Sequence, residues 1–271
     1  MNLRVRAPAT TANLGPGFDC AAVALDLWNE LEVGEGDGRP ELDHLGVRAF
    51  AQLAPVEGRR FSFTDRIPRE SGLGSSAAVI ALGLVAGALA SGREPDPEKL
   101  LAEGLPLEGH GDNLAAALAG GVCLTWEGRI ARVADSPPAV PIAVIPDATV
   151  STAAARAALP GSVPHADAAY TAGRATVLGA ALASRSSELF AAALDDRLHE
   201  PYRAKNAPIL ATVRARLPEG ALGATLSGSG PTVVVWAREE AAEACAAALG
   251  ERFPDARVLR LSVATQGAGP A

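Results

Sequence analysis

The chain has 271 residues, 48% of them apolar, which suffices for one large domain or two of ordinary size. A formal net charge of −7 argues against a nucleic-acid partner, since phosphate backbones demand basic surface. Cys20, Cys123 and Cys245 form neither a disulfide framework nor a metal spacing, no apolar signal region follows Arg4 and Arg6, and no apolar run reaches the ~20 residues of a membrane span, so a soluble cytoplasmic protein is expected.

Residues 2–6 (NLRVR) alternate and predict a first strand. Residues 7–20, with two prolines and two glycines, read as an ordered loop. A strand at 23–33, a polar turn at 34–40, a helix at 44–53 and a short strand at 61–64 follow. The spacing then predicts a helix at 96–103 with Pro97 in its first turn, broken at Gly104-Leu105-Pro106. Another helix is expected at 112–119, and 122–126 with 130–133 read as a hairpin around Glu127-Gly128. Ser136-Pro137-Pro138 is the expected boundary between domains at 1–138 and 139–271. Beyond it come a strand at 141–145 and helices at 151–158, 164–183, 186–194 and 206–217. A strand at 232–236, a helix at 239–249 and a strand near 257–261 close the chain. Strands separated by helices in each half indicate α+β layers, each with a sheet covered on one face.

The chain is organised around residues 66–91, where Gly72-Leu73-Gly74-Ser75-Ser76 empties into an unbroken run of small apolar residues. The glycines allow close backbone approach, and the N–H groups opening a helix lack partners and carry partial positive charge, a setting that favours an anion such as phosphate. Ser75 and Ser76 add hydroxyls able to cap the helix or reach a metal ion. A plain Gly-Ser turn capping a core helix is the competing reading. Walker A and protein-kinase lysines are excluded, because the only lysines are Lys99 and Lys205 and neither follows a glycine-rich loop.

In EGHGDNL (108–114), a carboxylate, an imidazole, a second carboxylate and an amide gather beside glycines. Asp112 could be a helix N-cap, yet the group as a whole could also position a hydroxyl nucleophile and hold Mg²⁺. Zinc fits less well, for no second His or Cys stands at a suitable spacing. TLSGSGPT (225–232) reads as a β-turn, or as a wall along which backbone approaches a ligand. Arg156, four residues after Thr152, and Arg203 are either solvated charges or a pair converging on a carboxylate.

Four segments, PATTANLGPGFD (8–19), PRESGLGSSAA (68–78), EGHGDN (108–113) and LSGSGPT (226–232), resemble the ordered motifs of the small-molecule kinases called GHMP kinases. The opening loop, STAAAR (151–156), DRLHEPYR (196–203) and Gln266-Gly267-Ala268 resemble the branch of that family whose acceptor is L-homoserine. The matches run over nearly the whole chain. The resemblance implies a two-domain α+β GHMP kinase fold, with an N-terminal ribosomal-protein-S5-like α/β domain and a C-terminal ferredoxin-like α+β domain. It implies phosphorylation of the side-chain hydroxyl of L-homoserine by ATP with Mg²⁺, on the route to threonine. Members of the family often form homodimers, though no strip of this sequence identifies an interface.

Carried over residue by residue, Pro68, Arg69, Glu70, Ser71, Gly72, Leu73, Gly74, Ser75, Ser76, Ala77 and Ala78 would wrap the ATP phosphates. Ser76 and Glu108 would hold the metal. Asn13 and Asp19 would take the amino end of the acceptor and Arg156 and Arg203 its carboxylate, with Thr152, His110, Asp112 and Gly228 lining the same pocket. Asn113 would stand near the reacting hydroxyl, and Asp112 would accept its proton or orient it. Three departures stand out. Pro106 breaks the segment before Glu108 and makes Glu103 an alternative metal ligand; Glu70 puts a carboxylate in the phosphate loop; and the turn at 34–43 is abbreviated. Two rivals accompany this reading: a GHMP kinase for another small hydroxylated substrate, and a ligand-binding protein that keeps the fold without the chemistry.

Overall fold

The computed structural model describes residues 2–36 and 41–271. In chain order the elements are β1 (Leu3–Asn13), β2 (Gly17–Glu35), α1 (Leu45–Ala51), β3 (Arg59–Thr64), α2 (Ser75–Ala90), α3 (Pro97–Glu108), α4 (Asp112–Ala119), β4 (Val122–Trp126), β5 (Arg129–Ala134) and β6 (Val140–Pro146). There follow α5 (Thr152–Ala157), α6 (His165–Ser184), α7 (Ser187–Ala193), α8 (Glu200–Arg203), α9 (Pro208–Ala215), β7 (Ala221–Leu226), β8 (Val233–Ala237), α10 (Ala242–Arg252), β9 (Ala256–Arg260) and β10 (Gly269–Pro270). Most elements fall within a residue or two of the sequence expectation. Part of the expected turn at 34–40 lies outside the described residues, and Gly34 and Glu35 belong to β2.

Two antiparallel sheets result. One runs β10-β1-β2-β4-β5 with β3 also on β2, and the other runs β7-β8-β6-β9. The ordered loop expected at 7–20 is instead the β1–β2 hairpin, in register from Leu3↔Val33 to Asn13↔Gly17. Residues 7–17 are all buried, so the polar/apolar alternation that marks a half-exposed strand is missing. Pro8 is tolerated because the register shifts between Pro8 and Ala9. Asn13, Leu14 and Gly15 take positive φ in succession and reverse the chain within that hairpin.

Helix α2 is apolar on every side and buried from Ala77 to Ala88, as a helix enclosed by other elements must be. Gly83 and Gly87 let α1 lie against it, for a Cβ at Gly83 would collide with Gly46 O. Helix α3 corrects the expected break at Gly104-Leu105-Pro106, running unbroken from its Asp96 cap to Glu108 with Pro106 inside. Gly104 packs where a Cβ would strike Leu114 and Leu84, so tertiary contact with α4 and α2 outweighs the local breaker signal.

The second sheet also corrects the expectation of one covered face. Ile142, Val144, Val233 and Val235 pack with α9 and α10, whereas Ala143, Ile145, Val234 and Trp236 join Phe190 and Leu178 in the main core. Burial on both faces accounts for the continuous apolar runs of β6 and β8. Among the described residues, no helix is long and apolar enough to cross a membrane.

Candidate active site

A cavity of about 230 Å³ opens where β1, the loop before α2, the N-terminus of α4, α5, α8 and the β7–β8 turn meet. Its walls include Asn13, Asp19, Glu70, Ser71, Gly72, Gly74, Ser75, Ser76, Glu108, His110, Asp112, Asn113, Thr152, Arg156, Arg203, Gly228 and Ser229. Of the residues singled out from the sequence, Pro68, Arg69, Leu73, Ala77 and Ala78 are absent from this lining. Leu73, Ala77 and Ala78 are buried behind it, and Arg69 turns away to pair with Asp65 at 2.6 Å.

At one end the polypeptide offers mainly backbone. Gly74 is the N-cap of α2, in left-handed conformation, and no side chain caps the helix. Neither serine fills that role: Ser75 Oγ lies 3.5 Å from Ile67 O, and Ser76 Oγ donates to Glu108 Oε2 at 2.7 Å. The first N–H groups of α2 are thus left for a ligand. Gly72 and Gly74 are required by crowding as well as by φ, since a Cβ would strike Ser227 O at the first and Thr10 Oγ1 at the second. Burial pushes the Glu108 carboxyl up to about 7, against the Ser76 hydrogen bond that lowers it. Glu103, the alternative ligand, is exposed and outside the cavity. Glu70 borders the cavity as an exposed residue at φ 52, and its carbonyl accepts from Val150 N at 2.9 Å.

At the other end the side chains carry charge. Arg156 grips Asp19 through two hydrogen bonds of 2.8 Å, while its Nε is buried without a hydrogen-bond partner. Arg203 is 3% exposed, and Nη1 donates to Gly228 O at 3.1 Å. Among the described residues no carboxylate pairs with it. Burial and then the neighbouring Arg156 lower its pKa, against the pull of Asp19, Asp112 and Asp196. Asn13 donates to the same Gly228 carbonyl at 3.1 Å and accepts from Asp19 N at 3.1 Å, fixing the chain around Asp19. His110 is held below the usual histidine range by burial and by Arg156.

Between the two ends stand Asp112 and Asn113 at the start of α4. Asp112 is not the N-cap, which is Gly111; its Oδ1 accepts from Asn113 N at 2.7 Å, and burial pushes its carboxyl up to about 6. Thr10, passed over in the sequence reading, is fully buried and donates from Oγ1 to Asn113 Oδ1 at 2.7 Å. The 225–232 turn is a buttress as well as a wall: Thr232 N bonds Ser71 O, Ser227 Oγ bonds Gly72 O, and Gly228 N bonds Ala12 O. Phe18 and His199 were quoted only within motifs, yet their rings stack behind the arginines at 4.8 Å. Thr10 and His199 offered only their polarity as a signal, and Phe18 only its place between Gly17 and Asp19.

A profile of the GHMP kinases N terminal domain matches residues 44–121, and one of the GHMP kinases C terminal domain matches 179–255. The homoserine kinase of Streptomyces avermitilis is 38% identical over 98% of this chain and 94% of that protein. The chain belongs to the GHMP kinase family. The homoserine kinase of Synechococcus sp. is 39% identical over 90% of this GHMP kinase and 88% of its own length. The crystal structure of homoserine kinase from Cytophaga hutchinsonii superposes with a TM-score of 0.86, at 26% identity over 100% of this chain and 97% of that one. The α+β two-sheet architecture is that of the family. The two profiles take in Gly72–Ser76, Glu108–Asn113 and Arg203, but leave out Asn13, Asp19 and Arg156.

Proposed function

We propose that this GHMP kinase transfers the γ-phosphoryl group of ATP to the side-chain hydroxyl of L-homoserine, giving ADP and O-phospho-L-homoserine. The observation that carries the reading is the polarity of one cavity: uncapped helix N–H groups and the Ser76–Glu108 pair at one end, Asp19, Arg156 and Arg203 at the other. A zwitterionic amino acid matches the second end, a carboxylate for its ammonium and guanidinium groups for its carboxylate. The unpartnered Arg156 Nε supports an anion there. Curated relatives named homoserine kinase over nearly the full chain point the same way. In this reading residues 1–138 hold the donor and 139–271 complete the acceptor pocket, in a cytoplasm that leaves Cys20, Cys123 and Cys245 free.

The donor set at the first end suits Mg²⁺. Among the described residues no three His, Cys, Asp or Glu side chains form a metal cluster. A hydroxyl and one carboxyl, Ser76 and Glu108, fit an ion that keeps waters and shares its coordination with phosphates. A bound Mg²⁺ would supply charge neutralisation for the β- and γ-phosphates. The chain's own work is positioning. The loop at 68–78 receives the phosphates on its backbone, and Asp19, Arg156 and Arg203 fix the acceptor at its far end. Asn113 orients the hydroxyl, whose oxygen forms the new bond to phosphorus as the bond to ADP breaks. Asp112 takes the proton; an ionised carboxylate with its pKa pushed to about 6 is a better acceptor than an ordinary aspartate.

ADP release should be fastest with L-homoserine when compared with L-threonine, mevalonate and galactose, and should stop with EDTA. Faster turnover of any competitor would overturn the substrate. Arg156→Ala should raise the homoserine KM by about tenfold or more while leaving that of ATP nearly unchanged.

A further inference from the structure

His199 belongs to no role in the phosphoryl transfer just described, yet it is fully buried and bonded on both ring nitrogens. Nε2 lies 2.8 Å from Gly15 O, and Nδ1 lies 3.2 Å from Arg203 Nη1. A carbonyl can only accept and a guanidinium can only donate. Both contacts are hydrogen bonds in one state alone, the neutral imidazole with its proton on Nε2. An imidazolium would lose the Arg203 contact and set a second cation against it. Burial favours the same neutral state by lowering the pKa, although Asp196 acts the other way.

The ring is held from several directions. Asp196 Oδ2 accepts from the backbone N–H groups of His199 and Glu200 at 2.8 and 2.9 Å, fixing the chain that carries the imidazole. The Phe18 ring stacks on it at 4.8 Å and 18°, and the Arg203 and Arg156 guanidinium carbons lie 5.3 and 5.1 Å from the Phe18 centroid. His199 immediately precedes α8 and Arg203 ends it, a four-residue spacing that brings the two side chains together.

We propose that His199 is a positioning residue that aims Arg203 into the cavity, serving as a neutral hydrogen-bond acceptor that orients the guanidinium without cancelling its charge. The acceptors around Arg203 among the described residues are all uncharged: the His199 ring, Gly228 O at 3.1 Å and Ala155 O at 3.4 Å. A carboxylate in place of the imidazole would satisfy the same N–H and neutralise the cation, leaving less attraction for an anionic ligand. The inference rests on the reading of Arg203 as the partner of the acceptor's carboxylate, and it extends that role to a residue that touches no substrate.

The test compares His199→Gln, which keeps a donor near the place of Nε2, with His199→Asn, which keeps an acceptor near the place of Nδ1. His199→Gln should raise the L-homoserine KM by about tenfold, and His199→Asn clearly less, with kcat and the ATP KM held within about twofold in both. With 2-amino-1,4-butanediol, which lacks the carboxylate, neither variant should change the KM. Equal losses in both variants for both acceptors would mean a structural role and overturn the proposal. Arg203→Ala separates the two levels. If it leaves the homoserine KM unchanged, the carboxylate reading fails; if it raises the KM while His199→Gln does not, only the present inference fails. Should the variants not fold, the ¹⁵N shifts of His199 in the native protein decide. A bare Nδ1 with a protonated Nε2 supports the proposal, and the opposite tautomer or an imidazolium overturns it.

Discussion

At the Gly72–Ser76 end of the cavity the polypeptide presents main-chain N–H groups, hydroxyls and one carboxyl raised to about 7; at the Asp19–Arg203 end it presents full charges, Asp19 paired with Arg156 and Arg203 bonded to neutral acceptors. The first end is shaped by what is missing, side chains at Gly72 and Gly74 and a cap on α2. The second is shaped by what is present, with Asp19 and Arg156 holding each other at 2.8 Å. On the proposed function, phosphate binding is served by backbone, which varies little with sequence. Choice of acceptor is served by side chains, which a few substitutions can change. The N-terminal family profile takes in Gly72–Ser76, while Asp19 and Arg156 fall outside both profiles and Arg203 inside the C-terminal one.

Three experiments press on this contrast. Gly74→Ala attacks the backbone end, where a Cβ would collide with Thr10 Oγ1 and the φ of 67° is itself unfavourable for alanine. Turnover should fall on the order of a hundredfold or more, as measured by ADP release at saturating homoserine. If alanine is tolerated, the donor end does not depend on close backbone approach.

Thr10→Val tests the junction between the two ends, because it keeps the shape and removes the hydroxyl bonded to Asn113 Oδ1. A fall in kcat of about tenfold with little change in either KM is expected, and Thr10→Ser should restore most of it. The smallest effect concerns stability. Folding carries the Asp112 carboxyl from an ordinary 3.8 to about 6. At pH 8 the group is ionised in both states, so its buried charge opposes folding, by roughly 2–3 kcal/mol at most; the penalty fades as pH falls through 6 toward 4. Without nucleotide or metal, Asp112→Asn should therefore raise Tm at pH 8 by up to about 5 °C, with the gap narrowing at pH 5.

The Gly72–Ser76 loop stood out in the sequence because its glycines and serines run straight into an apolar stretch, although a plain helix-capping turn reads the same way. Glu108 could be proposed as a ligand, but its helix could not be read: Pro106 and Gly104 signal a break locally, and packing against Leu84 and Leu114 explains why α3 continues. The hairpin of β1 and β2 was hidden for a related reason, since strands buried on both faces lose the alternation that reveals them. Arg156 and Arg203 could be proposed singly, but neither the Asp19 pairing nor the Thr10–Asn113 bond follows from spacing, because partners 137 and 103 residues apart are brought together only when α4 packs beside β1 and α5 reaches the start of β2.

The pairing of β10 with β1 has a bearing on how the site keeps its shape. Gly269 and Pro270 lie beside Arg6 and Val5, so a two-residue strand covers the edge of β1 that β2 leaves open. The same β1 carries Asn13 to the cavity wall. Ala268 N bonds Ala117 O at 2.7 Å and ties this segment to α4, the helix that begins at Asp112 and Asn113. Residues 268–270, which touch no part of the cavity, thereby brace both the strand and the helix that border it.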